Sequence, residues 1–205
     1  MGGVATKIYS LKAMEPKDIK ALALGLKNGK TAVMATDTVY GIMLAANTRD
    51  NLEKLNKIKN NPPNKYAQLL CDLNQAFTLA SVDDNFRKAA SLWPGGLTIV
   101  ARSSEEGGKI SGVNTIGLRV PASSLILDII GIIGAPLYAS SANLHNRAVC
   151  ETEAAVLALF NGLVDFIVLD GNRASIPSTV IDLAGEELIV RRAGALEDKI
   201  KKLLS

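Results

Sequence analysis

The stretch Thr31-Ala32-Val33-Met34-Ala35-Thr36-Asp37-Thr38-Val39-Tyr40-Gly41-Ile42-Met43-Leu44-Ala45-Ala46 decides the fold. Its first apolar run, Thr31 to Thr36, is too short for an ordinary helix. Turn residues bound it on both sides, Asn28-Gly29 before and Thr36-Asp37-Thr38 after, so it reads as a buried strand. Ile42 to Ala46 is a second strand across that polar turn. Upstream, Glu15-Pro16-Lys17-Asp18 opens a helix carrying Ile19, Leu22, Leu24 and Leu26, with the proline in the first turn, where its missing N–H has no partner anyway. Downstream, Arg49 to Lys59 places Leu52, Leu55 and Ile58 three apart among lysines. This is an amphipathic helix that Asn60-Asn61-Pro62-Pro63 breaks.

The rest of the chain continues in the same alternation. Strands are expected at Tyr66 to Cys71, Leu97 to Ala101, Ile116 to Val120, Pro136 to Ala139 and Phe166 to Leu169. A final pair, Thr179 to Leu183 and Leu188 to Arg191, turns at Ala184-Gly185-Glu186. Helices are expected at Asp83 to Leu92, ending at Trp93-Pro94-Gly95-Gly96, at Ser124 to Ile133 and at Glu151 to Phe160. The glycine-rich Glu106 to Gly112 reads as a loop. Alternating helices and strands with at least one hairpin predict an α/β fold with a mixed sheet. No composition break marks a boundary, so residues 1–205 are expected to form a single domain.

Lys and Arg exceed Asp and Glu by 23 − 20 = 3, too few for a nucleic-acid footprint from bulk charge alone. Two cysteines, Cys71 and Cys150, form neither a CxxC pair nor a four-ligand zinc set, and are read as reduced thiols. The single histidine, His145, excludes a His-rich metal centre and reads as a surface-loop residue. Met1 to Lys12 has no apolar run of signal-peptide length and no segment approaches about 18 uninterrupted apolar residues, so a cytoplasmic location is expected.

Candidate chemistry sits in polar segments caught between apolar strands, where open α/β sheets bind ligands. Five qualify: Thr36 to Gly41 (TDTVYG), Lys59 to Lys65 (KNNPPNK), Thr115 to Pro121 (TIGLRVP), Ser140 to Asn143 (SSAN) and Ser178 to Ala195. Each has a plainer reading. Asp37 and Thr38 can stabilise a turn, KNNPPNK can be a solvated loop, and SSAN can cap a helix. Asp37 is a turn residue or a general base, and Trp93 an aromatic at the core edge.

The ordered series TDTVYG, a lysine-bearing loop, WPGGLT, TIGLRVP, SSANL and STVIDL with RRAGA resembles the YrdC/TsaC family over Thr31 to Ala195. The resemblance implies a twisted mixed parallel/antiparallel sheet flanked by helices, YrdC/RibB-like, with one concave basic cavity. It also implies a threonylcarbamoyl-AMP synthase. In that reaction the L-threonine amine captures bicarbonate-derived carbon as a carbamate, which attacks the α-phosphate of ATP and releases pyrophosphate. A tRNA threonylcarbamoyl-transfer complex is the implied partner, with possible direct tRNA contact, and Mg²⁺ accompanies ATP without a protein metal site. No side-chain nucleophile is required.

Carried over by position, Thr38, Arg119 and Ser178 resemble the threonine-binding residues, and Lys59, Lys65, Thr115, Ser141, Asn143 and Arg192 the ATP-binding ones. Asn61 stands where the family pattern has an arginine, which implies weaker ATP binding. Tyr66-Ala67 replaces a common Pro-Leu, and Leu70 a histidine found in some relatives. The alternative function is a non-catalytic RNA-binding module of the same fold, with Lys54, Lys57, Lys59 and Lys65 as its rim. The chain looks like the short form of the family, without a further C-terminal domain.

Overall fold

The structure, a computed structural model, describes residues 4–60, 66–173 and 176–204. In chain order its elements are β1 (Lys7–Ser10), α1 (Pro16–Lys27), β2 (Ala32–Ala35), β3 (Tyr40–Ala45), α2 (Arg49–Lys59), β4 (Ala67–Leu69), α3 (Leu73–Leu79), α4 (Asp84–Ala90) and β5 (Leu97–Arg102). They continue with α5 (Glu105–Ser111), β6 (Thr115–Arg119), α6 (Ser124–Ile133), β7 (Leu137–Ser141), α7 (Glu153–Phe160), β8 (Phe166–Leu169), β9 (Thr179–Asp182), β10 (Ile189–Arg192) and α8 (Glu197–Leu204).

The strands form one sheet in the order β1-β8-β2-β3-β7-β4-β6-β5-β9-β10. Pairings β1/β8, β2/β8, β4/β6 and β5/β9 are parallel and the others antiparallel, as a mixed sheet requires. The opening hairpin puts Val33 opposite Ile42 and Ala35 opposite Tyr40. Every residue of β2 and β3 is buried, with helices packed on both faces. On one face Leu22, Ala23 and Leu26 of α1 and Ile126, Ile129, Ile130 and Ile133 of α6 pack on Met34, Met43 and Ala45. On the other, Leu55 of α2 and Val156 and Phe160 of α7 pack on Val33, Ile42 and Leu44.

The far half of the sheet is covered differently. Ile99 and Ala101 of β5 and Ile116 and Leu118 of β6 meet α3, α4 and α8 through Leu79, Phe86, Ala89 and Ile200. Their alternate neighbours Thr98, Val100, Thr115, Gly117 and Arg119 point the other way and line a cavity, on the same sheet face as α1 and α6. The period-2 pattern of a strand thus separates core from site residue by residue.

One sequence expectation is overturned: residues 106–111 are not a loop but most of α5, and Gly112 is its left-handed C-cap. Ser104 caps this helix, its Oγ accepting from the Gly107 N–H at 3.0 Å while donating to the Thr78 carbonyl at 2.6 Å. A Cβ on Gly107 would lie 2.0 Å from the Leu79 carbonyl oxygen, so this glycine permits close packing of α5 on the end of α3. Strand β1 and helices α3 and α8 were not legible in the sequence.

Candidate active site

The cavity has a volume of about 320 Å³, within the range of small-molecule sites. It is walled by β3, β7, β4, β6, β5, β9 and the end of β10, seven neighbours in the sheet order, so the sheet curls around it. Thr36 and Thr38 from the β2–β3 turn close one side, Ser178 and Arg192 the other. The floor is small or apolar: Gly41, Met43, Ala67, Leu69, Gly117, Val180.

The turn is held by Thr36 rather than by Asp37 or Thr38. Thr36 Oγ1 donates to the Val39 carbonyl at 2.7 Å and accepts from the N–H groups of Thr38 at 3.0 Å and Val39 at 3.1 Å. A hydroxyl has one proton, so in the 3.0 Å contact between the two threonine hydroxyls Thr38 is the donor. Thr38 Oγ1 then accepts from Arg119 Nη1 at 3.1 Å. Arg119 also donates from Nε to the Gly95 carbonyl at 2.9 Å and from Nη2 to Asp37 Oδ1 at 2.6 Å. Asp37 is therefore an ion-pair partner, which neither sequence reading had foreseen.

Among the described residues Arg192 is fixed by neutral groups only, donating from Nε to the Ser178 carbonyl and from Nη2 to Ser178 Oγ, both at 2.9 Å. Ser178 Oγ shares a 3.0 Å hydrogen bond with Thr98 Oγ1. Burial, and then the neighbouring Arg119 charge, lower the pKa of the Arg192 guanidinium. Two guanidinium groups thus face one cavity whose described wall contains no carboxylate, an environment suited to a ligand carboxylate or phosphate. A Cβ on Gly194 would lie 2.7 Å from the Thr179 nitrogen, so the glycine of RRAGA lets the segment after Arg192 close onto β9.

Lys59 and Asn143 stand behind the wall rather than on it. Lys59, only 4% exposed, donates Nζ to the Ser141 carbonyl at 2.8 Å and to Asn143 Oδ1 at 2.5 Å. Ser141 Oγ donates to the same Oδ1 at 2.9 Å, and Asn143 Nδ2 donates to the Arg147 carbonyl at 2.5 Å. Burial lowers the Lys59 pKa to about 8. The ammonium secures the SSAN turn, and Lys59 cannot belong to an exposed RNA-binding rim.

Of the residues singled out in the sequence, Thr38, Thr115, Arg119, Ser141, Ser178 and Arg192 meet in the cavity. Asn61 and Lys65 lie outside the described residues. His145 is exposed, Trp93 donates Nε1 to the Leu97 carbonyl at 2.8 Å, and both cysteines are free thiols. Sequence reasoning missed Thr98, the Asp37–Arg119 pair and the turn-holding role of Thr36, although Thr36 lay in a candidate segment. A threonine inside the apolar run Leu97 to Ala101 was the available signal for Thr98. Among the described residues no helix is long and apolar enough to cross a membrane, and no cluster of three His, Cys, Asp or Glu is suited to a metal ion.

The Sua5/YciO/YrdC family model, described as "Telomere recombination", matches residues 25–194. The threonylcarbamoyl-AMP synthase of Pyrococcus abyssi is 28% identical over 198 residues, which cover 93% of this chain and 58% of that protein. A putative threonylcarbamoyl-AMP synthase of Methanocaldococcus jannaschii is 30% identical over 198 residues, covering 93% and 92%. Among solved structures, P. abyssi Sua5 complexed with L-threonine matches with a TM-score of 0.91 at 27% identity, over 98% of this chain and 61% of that one. Escherichia coli YciO matches with a TM-score of 0.82 at 21% identity, over 94% and 98%, a likeness of fold alone. The chain spans about three fifths of the length of the Pyrococcus protein.

Proposed function

Since the chain belongs to the Sua5/YciO/YrdC family, we propose that it is a threonylcarbamoyl-AMP synthase, a nucleotidyltransferase that joins L-threonine, bicarbonate and ATP. The observation that carries this reading is the pair Arg119 and Arg192 inside one hydroxyl-lined cavity. Arg119, with Thr38 and Ser178 nearby, takes the threonine carboxylate and hydroxyl. Arg192, Thr115 and Ser141 meet the nucleotide, with Lys59 and Asn143 holding Ser141 in place, and Lys65 and Asn61 belong to the same proposed nucleotide contacts.

The threonine nitrogen forms a bond to bicarbonate-derived carbon, losing a proton and releasing water. A carbamate oxygen then attacks the α-phosphorus as its bond to the bridging oxygen breaks, and pyrophosphate leaves. The protein contributes positioning and fixed positive charge rather than a covalent intermediate. Its hydroxyl chains are already oriented by hydrogen bonds on their far side, so little reorganisation is needed on binding. The described wall offers Mg²⁺ no carboxylate, and the ion belongs to the reaction as the partner of ATP. Delivery of the product to a tRNA threonylcarbamoyl-transfer complex in the cytoplasm completes the proposal.

The test is pyrophosphate release from ATP with L-threonine and bicarbonate supplied or withheld. Release that needs both is expected. Release indifferent to threonine, or none from folded protein, contradicts the assignment.

A further inference from the structure

We infer that Asp37 is a positioning residue that fixes the Arg119 guanidinium from behind the cavity wall and so sets how a ligand carboxylate is read; this rests on the threonine-carboxylate role proposed for Arg119. Asp37 itself does not line the cavity, although Thr36, Thr38 and Val39 around it do. Its carboxylate meets Arg119 Nη2 at 2.6 Å, with the two side chains only 13% and 7% exposed. A charge-assisted bond in so dry a place is strongly directional.

Of the five N–H donors on a guanidinium, three are committed, to Gly95, Thr38 and Asp37. These anchors come from the loop before β5 and from the β2–β3 turn, so the group is tied to two separate elements. Among the described residues the other two N–H donors meet no partner and are left for a ligand. Arg192, by contrast, is tied to Ser178 alone and has no carboxylate partner among the described residues. Asp37 also offsets one of two like charges sharing the cavity.

Charge and positioning predict opposite signs. Removing the Asp37 carboxylate makes the region more positive, and by Coulomb attraction alone every anion binds more tightly. If Asp37 acts by position, the loosened Arg119 loses threonine instead, while ATP, met by other residues, does not share that loss.

The experiment is calorimetric titration of L-threonine, and separately of ATP, into the wild type, Asp37→Ala, Asp37→Asn and Arg119→Ala. Asp37→Ala is expected to weaken threonine about ten- to hundredfold, the scale of a lost charged hydrogen bond, with ATP affinity unchanged or tighter. Asp37→Asn keeps an acceptor oxygen and is expected to fall between Asp37→Ala and the wild type. It is also the variant that decides the matter if the alanine protein fails to fold. Wild-type or tighter threonine binding in the Asp37 variants overturns the inference, as does equal loss of threonine and ATP. If Arg119→Ala also leaves threonine binding intact, the reading of Arg119 falls with it. If Arg119→Ala weakens threonine and the Asp37 variants do not, only the role of Asp37 is lost.

Discussion

Strand β2 carries helices on both faces, α1 and α6 on one and α2 and α7 on the other, and β3 does so except where Gly41 and Met43 reach the cavity floor, whereas β5 and β6 carry α3, α4 and α8 on one face and the cavity on the other. The doubly covered strands, Ala-Val-Met-Ala and Tyr-Gly-Ile-Met-Leu-Ala, have no charged residue and no exposed position. The singly covered Thr-Ile-Gly-Leu-Arg of β6 alternates, Ile116 and Leu118 toward the helices and Thr115, Gly117 and Arg119 toward the cavity. The difference is informative because the hydrophobic effect demands apolar residues only where a face is covered. Polar residues at alternate positions of an otherwise apolar strand mark the face left for a ligand.

The two faces of β6 should respond most differently at adjacent residues. Leu118 is fully buried, and Leu118→Ala is expected to cost about 2–5 kcal/mol of stability in urea unfolding. Gly117→Val, one residue away, is expected to leave stability within about 1 kcal/mol yet abolish ligand binding. A first carbon there sits in ordinary contact, 3.6 Å from Thr98 Cγ2, and the rest enters the cavity. Equal destabilisation by both substitutions would mean that the two faces are not functionally distinct.

A smaller effect sharpens the contrast within the open face. Arg119→Ala is expected to cost about 1.5–3 kcal/mol of threonine binding with little change for ATP, and Arg192→Ala the reverse. Titration of each ligand into each variant separates them, and a common loss of both ligands would merge the two subsites into one.

A further expected effect is a pH dependence at the SSAN turn. The Lys59 pKa is lowered to about 8 in the fold from an ordinary 10.5. Below about 8 both folded and unfolded chains hold the proton, and the cost of burying the charge is felt in full. Between about 8 and 10.5 the unfolded chain binds more protons, so this residue's contribution to stability rises with pH. The stability of the wild type relative to Lys59→Met should therefore increase across that window in denaturant titrations. A flat difference would show that the ammonium is not buried as described.

The sequence made the long, strongly patterned elements plain. Ser124 to Ile133 and Phe166 to Leu169 were read with the bounds that the structure has, because a wide apolar stripe and a short aliphatic run leave little choice. Helix α5 was hidden because Gly107 and Gly108 argue against a helix locally, while Gly107 is needed for close approach to Leu79. Short α3, seven residues long, shows too few turns for its period to register. In the site, the segments holding Thr38, Arg119, Ser178 and Arg192 stood out as polar stretches between apolar strands, the choice of those four residues came from the family resemblance, and all four line the cavity. The pairing of Asp37 with Arg119, 82 positions apart, and the burial of Lys59 behind Ser141 depend on sheet curvature and long-range contact, which local pattern does not carry.

The most direct measurement follows backbone amide resonances during titration with L-threonine. Shifts are expected at residues 36–38, 95–98, 115–119 and 178–180, around the open face, with the lysine-bearing surfaces of α1 and α2 unmoved. Shifts centred on those helices, or none at saturating threonine, would contradict a threonine site on that face.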